Sequence, residues 1–93
     1  MSEEGKYDLV LTPPAHRALS DRLPEAVAVA VIDFLTTALV EQPRRVGKPL
    51  REELTGLWSA RRGTYRVIYR IHDAAAEVVV VRIEHRRDVY RSQ

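Results

Sequence analysis

The sequence of 93 residues contains no cysteine, which excludes disulfide bonds and thiolate metal sites and is typical of a reducing compartment. Its apolar runs are far shorter than the roughly 18 residues that a membrane-spanning helix requires. The N-terminal stretch MSEEGKYD is acidic and lacks the apolar segment of a secretory signal. We therefore expect a soluble, cytoplasmic protein that does not bind membranes.

Several motifs of catalytic and cofactor-binding proteins are also missing. There is no P-loop, no glycine-rich nucleotide fingerprint and no Ser/His/Asp signature. His16 and His72 are too scattered to predict a metal cluster. The sequence thus predicts no cofactor and no metal site.

The net charge of +2 conceals an uneven distribution of charged residues. Residues 1–43 carry three Lys or Arg against seven Asp or Glu, a net charge of −4, whereas residues 44–93 carry twelve against six, a net charge of +6. Hydrophobic residues make up 45% of the chain, which is typical of a globular protein rather than a disordered one. An acidic half joined to a basic half indicates that one surface binds a polyanion.

Local patterns predict one N-terminal strand, two helices, a basic connector over residues 44–50 and three further strands. The strands are expected at Tyr7–Thr12, Leu57–Arg62, Tyr65–His72 and Glu77–His85, and the helices at Ala15–Arg22 and Glu25–Glu41. The wholly apolar run over residues 26–32 predicts that the second helix is buried on more than one side. The order βααβββ predicts an α+β fold in a single domain, residues 1–93, with two N-terminal helices packed on one face of an antiparallel sheet.

Two strands flank Gly63-Thr64, and a two-residue type II′ turn with glycine first fixes their register. Arg61 then lies opposite Arg66, and paired side chains share one face of the sheet. Alternation predicts a core face with Trp58, Ala60, Val67, Tyr69 and Ile71, and an opposite face with Leu57, Ser59, Arg61, Arg66, Ile68 and Arg70. On the last strand it assigns Val79, Val81 and Ile83 to one face, and Arg82, Glu84 and Arg86 to the other.

Four arginines are expected to converge on the open face: Arg61, Arg66, Arg82 and Arg86. Like charges directly opposite each other destabilise a strand pair, so the pairing of Arg61 with Arg66 favours a functional explanation. The alternative is the ordinary solvated side of an antiparallel sheet, with Glu84 neutralising part of the charge. For Arg82 alone, that alternative is the preferred interpretation.

An arginine cluster suits phosphate, because guanidinium binds phosphate through paired hydrogen bonds and stays charged. RNA supplies its own nucleophile, the 2′-OH, so a basic face could stabilise the charge that develops during strand cleavage. Arginine is a poor proton carrier, which makes His85 and Tyr90 the acid–base candidates. Alternatively, His85 turns inward as a neutral histidine, and Tyr90 packs against the core.

Two segments, VGKPLREELTGLWSARRGTYRVIYRI and VVVVRIEHRRDVYR, resemble the RelE/ParE superfamily of bacterial toxins, and especially its actinobacterial RelE branch. The resemblance implies a βααβββ RelE-like fold and a ribosome-dependent endoribonuclease that cleaves mRNA in the A site. It also implies a RelB-like antitoxin that wraps the toxin and occludes its site. Operator DNA would be contacted only through the antitoxin. We expect this partner to contribute acidic residues to the basic face or to cover Tyr90.

The resemblance assigns catalytic roles to four residues. Arg66 matches the arginine that contacts the scissile phosphate, and Arg86 matches a second arginine at the leaving group or phosphate. Tyr90 matches a tyrosine that stacks on or helps activate the nucleotide, and Arg61 matches a basic position. Further RNA-binding candidates are Lys48, Arg51, Arg62, Arg82 and His85.

One departure from the family pattern bears on activity. Leu57 and Ser59 stand where well-studied RelE enzymes have two lysines. Either Arg61, Lys48 and Arg51 substitute for them, or cleavage is weak or differently specified. Two alternatives therefore stay open: a ParE-type inhibitor of DNA gyrase, and an inactive member kept for antitoxin binding and transcriptional control.

Overall fold

The structure is a computed structural model that describes residues 6–86. Its helices are α1 (Pro13–Arg17), α2 (Glu25–Phe34) and α3 (Pro43–Val46). α1 continues as a π-helical turn at Ala18–Arg22, and α2 continues as a π-helical turn at Leu35–Leu39. Its strands are β1 (Asp8–Leu11), β2 (Lys48–Pro49), β3 (Trp58–Arg62), β4 (Tyr65–His72) and β5 (Glu77–His85). Short 3-10 turns occupy Glu52–Leu54 and Asp73–Ala75. The predicted α+β class and the order of the main elements are confirmed.

The five strands form one sheet in the order β1-β5-β4-β3-β2. The predicted antiparallel arrangement holds from β2 to β5, but β1 lies parallel to β5 at the edge. Short turns force neighbouring strands to be antiparallel, whereas β1 and β5 are not joined by a turn and are free of that constraint. The basic connector also differs from the prediction, since Lys48 and Pro49 form the edge strand β2 against β3.

The helices cover one face of the sheet and enclose the core. Buried side chains from the helices meet buried side chains from β3, β4 and β5, and the largest with almost no exposure are Tyr69, Leu35, Leu39, Val31, Val67, Val78 and Val80. The predicted burial of the second helix on more than one side is wrong. Val29 is 62% exposed and Ile32 46% exposed, because only one side of α2 faces the sheet.

A β-bulge interrupts β5. Ile68 pairs with Arg82 while the next residue, Tyr69, pairs with Val80, so Val81 is an extra residue in the strand. The predicted alternation of Val79, Val81 and Ile83 is therefore wrong. The side chains of Val78 and Val80 are fully buried, and those of Ile83 and His85 are buried beyond the bulge. The extra residue shifts the alternation by one, and this keeps both halves of β5 in contact with the core.

Thr12 binds the backbone of the extra residue and of the residue before it. Its backbone N–H donates to the Val80 carbonyl at 3.0 Å, and its hydroxyl donates to the Val81 carbonyl at 2.7 Å. The same hydroxyl oxygen accepts a hydrogen bond of 3.4 Å from the N–H of Ala15 and caps α1. Because a bulge removes regular ladder bonds, Thr12 satisfies groups that would otherwise lack partners.

A buried tyrosine fixes the start of the basic connector. The Tyr69 hydroxyl donates to the Pro43 carbonyl at 2.6 Å, and burial raises the pKa of Tyr69 to about 12, so the donor proton is retained at neutral pH. Gly47 passes so close that an added Cβ would lie 2.2 Å from this hydroxyl oxygen. The close approach requires glycine and brings Lys48 onto the edge of the sheet.

Residues 6–86 include no helix that is long and apolar enough to cross a membrane.

We expect Thr12→Val to lower the free energy of unfolding by about 1–3 kcal/mol, because it leaves the part-buried Val81 carbonyl without a hydrogen-bond donor. Urea unfolding followed by circular dichroism measures the change. Thr37→Val is the matched control, since the Thr37 hydroxyl donates to a carbonyl at an exposed site. Equal losses in the two variants would contradict a special role for the bond at the bulge.

Candidate active site

The β3–β4 hairpin has the predicted register. Arg61 pairs with Arg66, and Arg62 pairs with Tyr65. Gly63 has a φ of 58°, as a type II′ turn requires at its first central position. The turn therefore places two arginine side chains directly opposite each other on the open face.

Two rows of side chains cross the open face at the hairpin end. The first row runs from Arg61 through Arg66 to Glu84, one residue from each of β3, β4 and β5. The second row runs across four strands, through Lys48, Ser59, Ile68 and Arg82. Side chains that are directly opposite have Cβ atoms only about 5 Å apart, so the cations of the two rows lie on one small surface.

Glu84 forms ion pairs with two of these arginines. Its Oε1 lies 3.3 Å from Nε of Arg66, and its Oε2 lies 3.4 Å from Nε of Arg82. The Glu84 side chain is 26% exposed, against 43% for Arg66 and 64% for Arg82. The carboxylate is thus the least exposed of the three groups and holds both guanidinium groups near the surface.

An open pocket of about 270 Å³ lies at the end of the first row. Arg86 joins this pocket because its backbone N–H donates to the Thr64 carbonyl at 2.7 Å, which ties the end of β5 to the hairpin turn. The lining residues are Arg61, Gly63, Thr64, Tyr65, Arg66, Glu84, His85 and Arg86. A pocket lined by three arginines suits an anionic ligand.

Two lining residues come from the core side of the sheet. His85 pairs with Tyr65 and is only 7% exposed, as in the alternative interpretation in which it turns inward, while its role in RNA binding stays a prediction. Burial raises the pKa of the Tyr65 phenol, so this hydroxyl stays protonated at neutral pH. Both side chains reach the pocket from below the arginines.

Three of the remaining predicted site residues are not placed at the pocket by the described structure. Arg62 lies on the helix side, where its guanidinium carbon is 4.7 Å from the centre of the Phe34 ring, so the structure does not bring it to the arginine cluster. Arg51 is exposed before a 3-10 turn and does not line the pocket. Tyr90 lies outside the described residues.

Another arginine of the basic half has a structural role. Arg44 in α3 binds Asp73 in the β4–β5 turn, with Nη2 and Oδ2 2.6 Å apart, and the Tyr7 hydroxyl donates to Asp73 at 2.8 Å. The hydrogen bond from Arg44 lowers the pKa of the exposed Asp73 carboxyl. This contact joins α3, the turn and the start of β1 and leaves the open face to other cations.

A second surface feature is an apolar groove of about 350 Å³ between β1 and the helices. It is lined by Leu9, Leu11, His16, Leu19, Ser20, Ile32, Leu35 and Thr36. The exposed Ile32 lies at its margin, and Val29 is one turn earlier on α2. Within residues 6–86, β1 lies at the end of the strand order and pairs with β5, so the groove lies beside an edge strand of the described sheet.

Sequence reasoning treated Glu84 only as a partial neutraliser and missed its central place in the pocket. The sequence did contain a signal for this position, because the row that pairs Arg61 with Arg66 must continue to a residue of β5, and that residue is Glu84. Among residues 6–86, no group of three or more His, Asp or Glu side chains is placed to hold a metal ion.

Comparisons with known proteins agree with this architecture. The family described as "ParE toxin of type II toxin-antitoxin system, parDE" matches residues 9–90. "Toxin RelG" of Mycobacterium tuberculosis is 49% identical over 85 residues, which cover 91% of this chain and 97% of that protein. "Toxin RelE" of the same organism is 45% identical over 91 residues, which cover 98% and 93%.

Solved structures show the same fold. The toxin–antitoxin complex RelBE2 from Mycobacterium tuberculosis contains a chain with a TM-score of 0.84 and 48% identity, covering 87% of this chain and 99% of that one. The isolated E. coli RelE toxin has a TM-score of 0.70 and 21% identity over 92% and 93% of the two chains, a likeness of fold alone. The fold of this chain, a mixed sheet with helices on one face, is therefore RelE-like. The chain belongs to the RelE/ParE superfamily and is a toxin of a type II toxin–antitoxin system.

We expect Arg61→Gln to raise the free energy of unfolding by about 0.2–1 kcal/mol, because it removes one of two like charges that face each other across a strand pair. Urea unfolding at low ionic strength measures the effect. Arg70→Gln is the control, since Arg70 is exposed on the same face opposite an uncharged residue, Val79. A loss of stability on removing Arg61 would contradict the inferred repulsion.

Proposed function

We propose that the protein is a ribosome-dependent endoribonuclease that inhibits translation by cleaving mRNA in the ribosomal A site. The observation that carries this proposal is the row of Arg61, Arg66 and Glu84 beside Arg86, around an open pocket at the hairpin end. Three guanidinium groups around one pocket suit a phosphodiester. Message RNA, as the substrate, brings its own nucleophile in the 2′-OH.

In this proposal, Arg66 and Arg61 bind the scissile phosphate from two neighbouring strands. Their positive charge stabilises the negative charge that builds up on the phosphoryl oxygens as the 2′ oxygen attacks. Arg86 contacts the phosphate or the leaving group. Tyr90 stacks on the nucleotide or helps activate it, and His85 lies under the same pocket. The ribosome presents the message in the required conformation.

The two family lysines that are missing here have a plausible replacement on the same face. Lys48 on β2 lies directly opposite Ser59, one of the two substituted positions, so its ammonium reaches the surface where a lysine at position 59 would project. Arg61 follows Ser59 by two residues and shares its face. Of the three suggested substitutes, Lys48 and Arg61 thus have suitable placement, and Arg51 does not line the pocket.

A second candidate function is inhibition of DNA gyrase, which the ParE name of the matching family favours. The two relatives with 49% and 45% identity are both named as Rel toxins, and we therefore prefer the nuclease. Supercoiling by purified gyrase discriminates the two functions. Inhibition that survives the double substitution Arg66→Ala and Arg86→Ala would favour the gyrase inhibitor.

We expect Arg66→Ala to slow mRNA cleavage by about 100-fold or more, the loss typical when a group that stabilises transition-state charge is removed. A cell-free translation reaction with primer extension on the message measures it. Arg70→Ala, an exposed arginine on the same strand and face, controls for general loss of positive charge. Intact message in the presence of wild-type protein and active ribosomes would reject the nuclease.

We further propose that a RelB-like antitoxin is the partner, and that operator DNA is bound only through it. A solved relative supports this, since the chain with 48% identity belongs to the toxin–antitoxin complex RelBE2 from Mycobacterium tuberculosis. The chain offers such a partner two surfaces, the basic pocket for acidic side chains and the apolar groove beside β1 for apolar ones.

We expect Ile32→Asp to weaken antitoxin binding at least tenfold, because a charge at the rim of the apolar groove would be desolvated by a partner segment docked there. Calorimetric titration with the co-encoded antitoxin measures the affinity. Asp33→Asn, at a neighbouring exposed position outside the groove, is the control. Cleavage by the Ile32 variant should equal that of wild type, and unchanged affinity would show that the antitoxin avoids the groove.

A further inference from the structure

Among the described residues that line the pocket, one is a carboxylate, Glu84, and its position is the most informative feature of the pocket. Glu84 lies directly opposite Arg66 in the β4–β5 register, on the side of Arg66 away from Arg61. Neighbouring strands are about 4.8 Å apart. A phosphate bound between Arg61 and Arg66 would therefore place its attached ribose within reach of the Glu84 carboxylate.

Stabilisation of the fold does not account for this carboxylate. Arg66 is 43% exposed and Arg82 64% exposed, and ion pairs that are so exposed contribute little to stability. The carboxylate also competes with any phosphate for Arg66. A chain selected only to bind an anion would omit the negative charge from the centre of the basic surface.

Few of the residues around the pocket can accept a proton. Arginine remains protonated at every accessible pH, and the buried Tyr65 keeps its proton at neutral pH because burial raises its pKa. Among the described lining residues, Glu84 and His85 remain. His85 comes from the core side and is only 7% exposed, whereas Glu84 stands on the open face beside Arg66, the proposed phosphate contact.

We propose that Glu84 is the general base of the cleavage reaction, in place of the family lysines whose positions hold Leu57 and Ser59. Its carboxylate takes the proton of the 2′-OH while the 2′ oxygen forms a bond to phosphorus. The bond from phosphorus to the 5′ oxygen breaks, and that oxygen is protonated by water or by an acid of the site. The products are a 2′,3′-cyclic phosphate and a 5′-hydroxyl.

This inference rests on the proposed nuclease function and specifies one role within it. Glu84 faces Arg66 on β4 and Arg82 on its own strand, with Arg61 on β3 one strand farther away. Arg86 and His85 border the same pocket. These are the charged and titratable groups of the described chain that face the Glu84 carboxylate from the elements around the pocket.

The test is single-turnover cleavage of a programmed message by purified toxin on ribosomes, at saturating toxin and over a range of pH. Glu84→Gln keeps the size of the side chain and removes its basicity, and we expect the rate to fall by about 100-fold or more. Glu84→Asp retains a carboxylate and should restore part of the rate. Glu77→Gln makes the same chemical change on the same strand outside the pocket and should act as wild type.

Two readouts separate a base from a side chain that only positions Arg66. The wild-type rate should fall as the pH is lowered through the titration of one group, and Glu84→Gln should remove this dependence. A message with sulfur in place of the 5′ bridging oxygen needs no leaving-group proton. Glu84→Gln should remain slow on it, whereas loss of a leaving-group acid would be rescued.

Binding of a message with a 2′-deoxy nucleotide at the cleavage position completes the test. Equal or tighter binding of this message by Glu84→Gln supports the proposal. Two results would overturn the role of Glu84 without contradicting the nuclease function. One is a Glu84→Gln cleavage rate within threefold of wild type, and the other is a Glu84→Gln rate that still falls as the pH is lowered. If the wild-type protein is folded, with the same thermal stability as Glu77→Gln, and still does not cleave the message, both the role of Glu84 and the proposed nuclease function would be overturned.

Discussion

One extra residue in β5, bound through its backbone by Thr12, determines which side chains reach the open face. Val78 and Val80 are buried, and uninterrupted alternation from them would direct Arg82 and Glu84 into the core. The bulge at Val81 shifts the second half of the strand by one residue. The core then receives apolar side chains from both halves, and the charged residues project outward. The arrangement of charges on the open face therefore depends on the bulge in β5.

The charges on the open face are arranged against the stability of the isolated chain. Arg61 opposes Arg66 directly, and within residues 6–86 the ion pair of Arg66 with Glu84 offsets part of the repulsion. Elsewhere the protein uses arginine conventionally, as in the contact of Arg44 with Asp73. The contrast within one small chain indicates that the repulsive arrangement is kept for a ligand. A bound phosphate would separate the guanidinium groups with negative charge and remove the strain.

The hairpin and its arginine pair could be predicted because the Gly63-Thr64 turn fixes a register by local geometry alone. The faces of β5 could not, because counting alternate residues cannot reveal an inserted one. The exposure of α2 was mispredicted for a different reason: an apolar run looks the same whether its own core or another protein covers it. The parallel pairing of β1 with β5 depends on contacts between distant segments. The role of Tyr90 stays a prediction, since it lies outside the described residues.

The position of β5 in the sheet has a consequence for biosynthesis. β1 pairs with a strand that begins at Glu77, so almost the whole described chain must be synthesised before β1 gains this neighbour. Pairings between segments so distant in sequence form slowly. A nascent chain whose synthesis has passed the hairpin but not β5 carries Arg61 and Arg66 without Glu84 or a closed core. The sheet that carries the arginine pair is thus completed only after the residues of β5 have been synthesised.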